Sequence, residues 1–221
     1  MKKLLSLFVI LMISFLSHGQ TSLYENPQFD QIAADHNVIA ILPFNATVKL
    51  RPKQMKELSN SDIEKLEESE GYSIQRSMYS WFLKRKARGT LAINIQDISL
   101  TNSILSKESI SINQFSKYSP AELAQILNVD AVIMGDLNTN KPMSEGASVP
   151  LGLLIGFWGT TNAVIVNMFI YNGSDGQLLI NYHKKVRGSI GSTPDDLVNI
   201  IMRKASRRIA YTKKQLKVSR Y

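Results

Sequence analysis

The chain has 221 residues, 44% of them hydrophobic, with no cysteine and a formal charge of +8. That length suits one domain with a sizeable core, and the lack of thiols excludes disulfides and thiolate metal sites. The basic excess points to anionic neighbours.

The first residues, "MKKLLSLFVILMISFLSHGQ", place Lys2 and Lys3 before an uncharged apolar run and small residues at Ser17 and Gly19. That is the pattern of a secretory signal peptide over residues 1–19, with an uncleaved N-terminal anchor as the alternative. Without Lys2 and Lys3, 24 basic residues face 18 acidic ones, a net of +6. In an exported chain such a charge suits lipid headgroups, wall polymer or acidic protein faces rather than nucleic acid. No cysteine is present to carry a bacterial lipid anchor, so the expectation is a periplasmic or secreted protein, peripheral to the outer membrane, and not a lipoprotein.

Residues 20–37 are mixed and polar and read as a lead-in. Val38 to Phe44, "VIAILPF", is a short apolar run closed by Pro43, the pattern of a buried strand. A loop containing Arg51 and Pro52 follows. Ser61-Asp-Ile-Glu64 reads as a capping box, opening a long helix to about Arg88. Ile74, Met78, Trp81, Phe82 and Arg85 recur at helical spacing along it. Gly71 threatens to split it, and Gly89 is a natural stop. Leu91–Ile95 reads as a second strand, followed by a weakly periodic segment with a short helix around Asn102–Lys107. Ser119-Pro-Ala-Glu122 is another capping box with proline at the first helical position. Asn128 should stop that helix, and Val129–Leu137 reads as the third strand.

From Gly146 to Ser174 no residue is charged. A membrane helix there is weakened by its glycines, threonines and asparagines, and Ala163–Tyr171 is rich in β-branched residues. With the turn Asn172–Gly176 and the alternation of Leu178, Ile180 and Tyr182, it predicts a β-hairpin. The preceding stretch is then an apolar, glycine-rich insertion over 146–160. Thr193 and Pro194 open a last helix to about Tyr211, with Val198, Ile201, Met202, Ala205 and Ile209 on one side and Arg203 and Arg207 on the other. After Asp196 no acid remains, and residues 212–221 form a basic tail.

The predicted order is β-α-β-(α)-α-β-β-β-α: an α/β (α+β) fold, a mixed sheet flanked by helices, in one domain over 38–211. No nucleotide, metalloprotease or nucleophile-elbow motif occurs. His36 and His183 both read as surface histidines. Asp130 and Asp136, in "LNVDAVIMGDL", read as the frame of a strand, and Gly135 is placed there for backbone reasons. No catalytic residue, metal site or cofactor is expected. The candidate interaction surface comprises Leu151, Leu153, Leu154, Phe157 and Trp158 of the insertion and Arg203 and Arg207 of the last helix. The insertion is left open as core, interface or membrane contact.

"VIAILPF" and "ELAQILNVDAVIMGDL", with the late hairpin and last helix, resemble bacterial envelope proteins. That group includes the curli-secretion channel lipoprotein, the lipoprotein activators of penicillin-binding proteins and the N-terminal domain of the Tol translocation protein. Four segments, 41–54, 141–162, 171–179 and 188–206, resemble small secreted proteins of Bacteroidetes. The resemblance implies a mixed sheet with helices and a non-enzymatic interaction or assembly role with an envelope protein partner. An anionic lipid or wall contact through the basic helix and a homo-oligomer stay open. An outer-membrane oligomeric channel component is the alternative, and a carboxylate hydrolase the less favoured one.

Overall fold

A computed structural model describes residues 21–50, 56, 58–139, 163–187, 194–208 and 211. The signal-peptide reading, the Arg51–Pro52 loop, the whole insertion over 146–160 and the basic tail lie outside them. In chain order the elements are β1 (Thr21–Glu25), α1 (Phe29–Ile32), β2 (Val38–Ile41), β3 (Asn45–Val48), α2 (Asn60–Ala87), β4 (Asn94–Ile95), α3 (Ile98–Lys107), a 3-10 turn (Ile112–Lys117), α4 (Pro120–Leu127), β5 (Ala131–Thr139), β6 (Ala163–Asn172), β7 (Leu178–Arg187) and α5 (Pro194–Arg208).

The seven strands form one mixed sheet in the order β1-β7-β6-β5-β2-β4, and β3 also pairs with β5. β2 and β3 both run parallel to β5, one after the other: Ile39–Ile41 lie beside Ala131–Ile133, and Asn45–Val48 beside Asp136–Thr139. β6, β7 and β1 are antiparallel to their neighbours. The mixed α/β sheet predicted from the sequence is the fold observed. Within it, β3 occupies part of a predicted loop, and β1 pairs with β7 from within the predicted lead-in.

Two apolar layers cover the sheet. On one face Ile39, Ile41, Ala131, Ile133, Val164, Val166, Met168 and Ile170 pack against Ile74, Met78 and Phe82 of α2 and Val198, Ile201, Met202 and Ala205 of α5. On the other, Ala40, Leu42 and Val132 meet Leu105 of α3, Phe115 of the 3-10 turn and Leu123, Ala124 and Leu127 of α4. The strict alternation of buried and half-buried residues along β6 follows from the two-residue strand period.

The helix signals act largely as read. Ser119 and Glu122 form the capping box of α4, and Asn128 ends it in the left-handed region at φ 52°. Gly89 follows α2 at φ 63°. The start of α2 differs: its cap is Ser59, whose hydroxyl and backbone N–H both donate to Asp62. Two overlapping S-x-x-acid patterns stand two residues apart, and the earlier one wins with an aspartate in place of the expected glutamate.

Gly71 does not split α2. It is where the connection from β2 to β3 crosses the helix. A Cβ at Gly71 would sit 2.1 Å from the Phe44 carbonyl oxygen, and one at Gly135 would sit 2.2 Å from the Phe44 ring and 2.4 Å from the Asn167 carbonyl. Phe44 is fully buried between these two glycines. The obstacle at Gly71 is backbone, which no rotamer relieves. Gly71→Ala should therefore cost about 3 kcal/mol of stability in urea unfolding, at the upper end of overpacking effects. Gln75→Leu should cost about 2 kcal/mol by removing the donor that Ile41 O and Asn102 Oδ1 share.

Candidate functional site

Strand β5 carries both aspartates singled out in the sequence, and they do different work. Asp130 stands just before the strand. Its carboxylate accepts the backbone N–H groups of Asn37 (2.7 Å) and Val38 (2.8 Å), while its own N–H donates to Val38 O (2.9 Å) and its carbonyl accepts from Gly173 N–H (2.8 Å). It fixes the start of β2 and the end of β6 beside β5, a frame role as expected.

Asp136 lies on the sheet face away from α2 and α5. Register places Asn45, Asp136, Asn167, His183 and Ser22 side by side across β3, β5, β6, β7 and β1. Residues opposite one another across a ladder share a face, so these five form a polar rung. Within it Asp136 bonds with Asn45, and His183 Nδ1 meets Asn167 Oδ1. An amide oxygen only accepts, so Nδ1 of His183 carries the proton. The next rung is more apolar: Met134, Phe169, Asn181 and Tyr24.

Over the β5–β6 part of this face lies a cleft of about 500 Å³ whose far wall is the 3-10 turn and the start of α4. Asp136, Asn45, Phe169, Tyr171, Phe115 and Tyr118 are among its lining. The rings of Phe169 and Tyr171 stack with centroids 6.1 Å apart. Burial pushes the Asp136 carboxyl above its ordinary value, against the opposing bond from Asn45. Burial first, and then the nearby Asp136 charge, push the Tyr171 hydroxyl up.

The two aspartates are not brought together. Asp130 is absent from the lining, so among the described residues the cleft holds one carboxylate and no acid–base pair. Among the described residues no group of three His, Asp or Glu is placed to hold a metal ion, and no helix is long and apolar enough to cross a membrane.

Both histidines depart from the surface reading. His183 is half-buried in the polar rung. His36, also half-buried, takes Asn172 Oδ1 at 3.1 Å on Nε2 and the Tyr211 hydroxyl at 2.7 Å on Nδ1. Asn172 Oδ1 only accepts, so Nε2–H donates to it and Nδ1 accepts from Tyr211. The histidine thereby joins the segment before β2, the end of β6 and Tyr211, three residues beyond α5. Burial, with Asp130 nearby, pushes the Tyr211 hydroxyl far up, so it stays a donor at any ordinary pH.

Of the predicted interaction surface, Arg203 and Arg207 are exposed on α5 opposite buried Val198, Ile201, Met202 and Ala205. Leu151, Leu153, Leu154, Phe157, Trp158 and Ile209 lie outside the described residues. At the end of α2, Arg85 is held below its ordinary value by burial, then by the Arg207 and Arg88 charges. Its Nη2 is buried with no hydrogen-bond partner. The ends of two helices thus gather cations. Sequence reasoning missed the cleft, although the alternation Asn45-Ala46-Thr47-Val48, exposed and buried in turn, was a legible strand signal for the Asn45 wall.

No family model matches the chain, and no curated protein matches it by sequence. Solved structures resemble it remotely. Lipoprotein GNA1162 from Neisseria meningitidis is 11% identical, with 78% of this chain and 96% of that one covered at a TM-score of 0.46. The PelC dodecamer from Paraburkholderia phytofirmans is 11% identical, covering 85% and 94% at 0.41. The C-terminal domain of LpoB from Salmonella enterica is 8% identical, covering 74% and 93% at 0.30. At these identities the likeness concerns the fold alone. It gives no support for a Bacteroidetes origin.

The expected location is corrected here. A periplasmic or secreted protein that is not a lipoprotein was the expectation, yet GNA1162, a solved structure of similar chain path, is a lipoprotein. The error has a physical root: a missing cysteine bears on one mode of lipid attachment, not on where the folded part works.

Asp130→Ala strips the acceptor from two backbone N–H groups and should cost about 2 kcal/mol in urea unfolding; Tyr211→Phe should cost about 1 kcal/mol. Asp136→Asn should act in the opposite direction. Since burial in the folded state makes Asp136 a weaker acid, the folded protein holds that proton more tightly than the unfolded chain. The group's contribution is full below the ordinary carboxylate range and is lost as pH rises through the raised value. The variant should melt about 1–2 °C above the native protein at neutral pH, with the gap closing in acid; thermal melts across pH check this.

Proposed function

We propose that this chain is a non-enzymatic envelope protein that works by binding and assembling other proteins. The observation that carries the reading is the sheet face opposite α2 and α5. The α3, 3-10 and α4 layer packs on β2 and β5. Towards β7 and β1 the same face presents half-buried Ile165, Phe169 and His183 and exposed Tyr24. Polar and aromatic groups side by side on a firm surface suit a protein interface. The cleft, with its single carboxylate, suits binding better than acid–base chemistry.

The apolar stretch Leu151, Leu153, Leu154, Phe157 and Trp158 belongs to this proposal as further contact. The channel-component alternative is less well supported. The ten-residue strands β6 and β7 have barrel length, yet Val164, Val166, Met168 and Ile170 are already committed to the core beneath α2 and α5.

The basic helix ends support a second contact, with an anionic surface. Arg203 and Arg207 stand exposed on α5, and the charges of Arg207 and Arg88 act on Arg85, like charges that a counter-anion would relieve.

Crosslinking in intact cells, followed by identification of the linked species, tests the main reading. A discrete protein partner is expected with the native chain and at least several-fold less of it with Tyr24→Asp. Capture of no protein would overturn the reading. For the anionic surface, vesicles containing phosphatidylglycerol should bind the protein in a flotation assay. The double change Arg203→Glu and Arg207→Glu should weaken that binding about tenfold or more.

A further inference from the structure

We infer that the cleft over β5 and β6 is a receptor for one basic side chain, an arginine or lysine flanked by apolar residues, presented by the bound partner. The identity of the donor rests on the interaction reading above; the chemistry of the pocket does not.

Four observations converge. Among the described residues the lining contains one carboxylate and no lysine, arginine or histidine. That is unusual ground on a chain with eight more basic than acidic residues, where nearby cations would be the default counter-charge. The carboxylate is half-buried, and its neighbour across the ladder, Asn45, is a neutral amide that supplies a hydrogen bond but no positive charge. Aromatic rings stand around it: Phe169 and Tyr171 from the sheet, Phe115 and Tyr118 from the opposite wall. Aromatic faces attract cations, and a guanidinium stacks on them while its fork bonds a carboxylate. Finally, the cleft is open and about 500 Å³, the scale of a long side chain with its flanking backbone rather than of an ion.

Other occupants fit less well. A metal ion would need more anionic or imidazole ligands than one carboxylate and one amide. An anion would meet a carboxylate in a half-buried site with no positive charge in the lining. A purely apolar ligand would leave the Asp136 charge desolvated without compensation.

The alternative role for Asp136 is structural: its bond to Asn45 holds β3 against β5. Asp136→Asn separates the two, because an asparagine keeps a hydrogen bond to Asn45 while losing the charge. The probe is a labelled short peptide with one arginine between leucines, together with its citrulline counterpart, which keeps the shape and loses the charge. Fluorescence anisotropy with the full chain should show the arginine peptide binding, with affinity falling as salt rises. The citrulline peptide should bind about tenfold or more weakly, and Asp136→Asn should weaken the arginine peptide by a similar factor while leaving the citrulline peptide unchanged. Tyr171→Leu should weaken the arginine peptide several-fold.

Equal binding of the two peptides, or no binding of either, overturns the inference. The cell crosslinking distinguishes it from the broader reading. If native protein and Asp136→Asn capture the same partner equally well, the cleft is not what grips it, and only this inference falls. If no protein is captured yet the charge-dependent peptide binding is seen, the pocket's chemistry stands and the broader reading falls.

Discussion

Where β2 gives way to β3 the chain leaves the ladder of β5, and helix α2 receives the backbone groups that this frees. Buried N–H and C=O groups must be paired. Leu42 N–H still reaches Ile133 O at 2.9 Å. Pro43 has no N–H to lose, which is why a proline is tolerated at this break. Ile41 O accepts from Gln75 Nε2 at 2.7 Å, Phe44 N–H donates to Gly71 O at 3.2 Å, and Val48 N–H donates to Glu67 Oε1 at 3.0 Å. Glu67, Gly71 and Gln75 are four residues apart, so they form one line along the helix. This line serves as a substitute edge for the broken strand.

The site depends on that break. Restarting the strand as β3 sets Asn45 opposite Asp136, and so completes the polar rung at its outer end. The Phe44 ring, turned to the other face, presses on Gly135, the residue immediately before Asp136. With no side chain at 135, ring and strand approach closely. The backbone bearing the cleft's carboxylate is therefore held by the same contact that joins α2 to the sheet. Rigid support of this sort is what lets a half-buried charge keep its position instead of turning towards water.

Much of this architecture could be read from the residues, and what could not has identifiable causes. Ser119-Pro-Ala-Glu122 and Asn128 bound α4 as read because capping is local chemistry: the donors and acceptors lie within three residues of each other. The hairpin β6–β7 was legible because each strand runs ten residues with alternating burial. β1 was missed because "TSLYE" alternates weakly and becomes a strand only by pairing with β7, more than 150 residues away. Gly71 was misjudged for a related reason. Glycine lowers helix propensity, and nothing in its neighbourhood of sequence announces that the Phe44 carbonyl crosses there. For the site, Asp136 and Gly135 were noticed, but as a frame. The cleft is assembled from β3, β5, β6 and the 3-10 turn, and its aromatic walls become neighbours only once the sheet order is known. His36 fell to the same limit, since its partners Asn172 and Tyr211 lie 136 and 175 residues further on.

The sheet also sets the cations at the ends of α2 and α5 apart from the cleft's carboxylate. The helix ends carrying Arg85, Arg88, Arg203 and Arg207 lie on the α2–α5 side, and Asp136 opens to the opposite face. Stacked layers stand roughly 10 Å apart, so a helix layer and a cleft on opposite sides of one sheet are separated by about a Debye length at physiological salt. The arginines at the ends of α2 and α5 and the Asp136 carboxylate then act on their surroundings nearly independently of one another. On the proposed reading, one side meets an anionic surface while the other offers an acidic, aromatic pocket to a protein. The one sheet, tied to α2 by the stripe Glu67, Gly71 and Gln75, fixes the relation between the two. Any change that loosened that tie would therefore reach both faces, although neither set of contact residues had been touched.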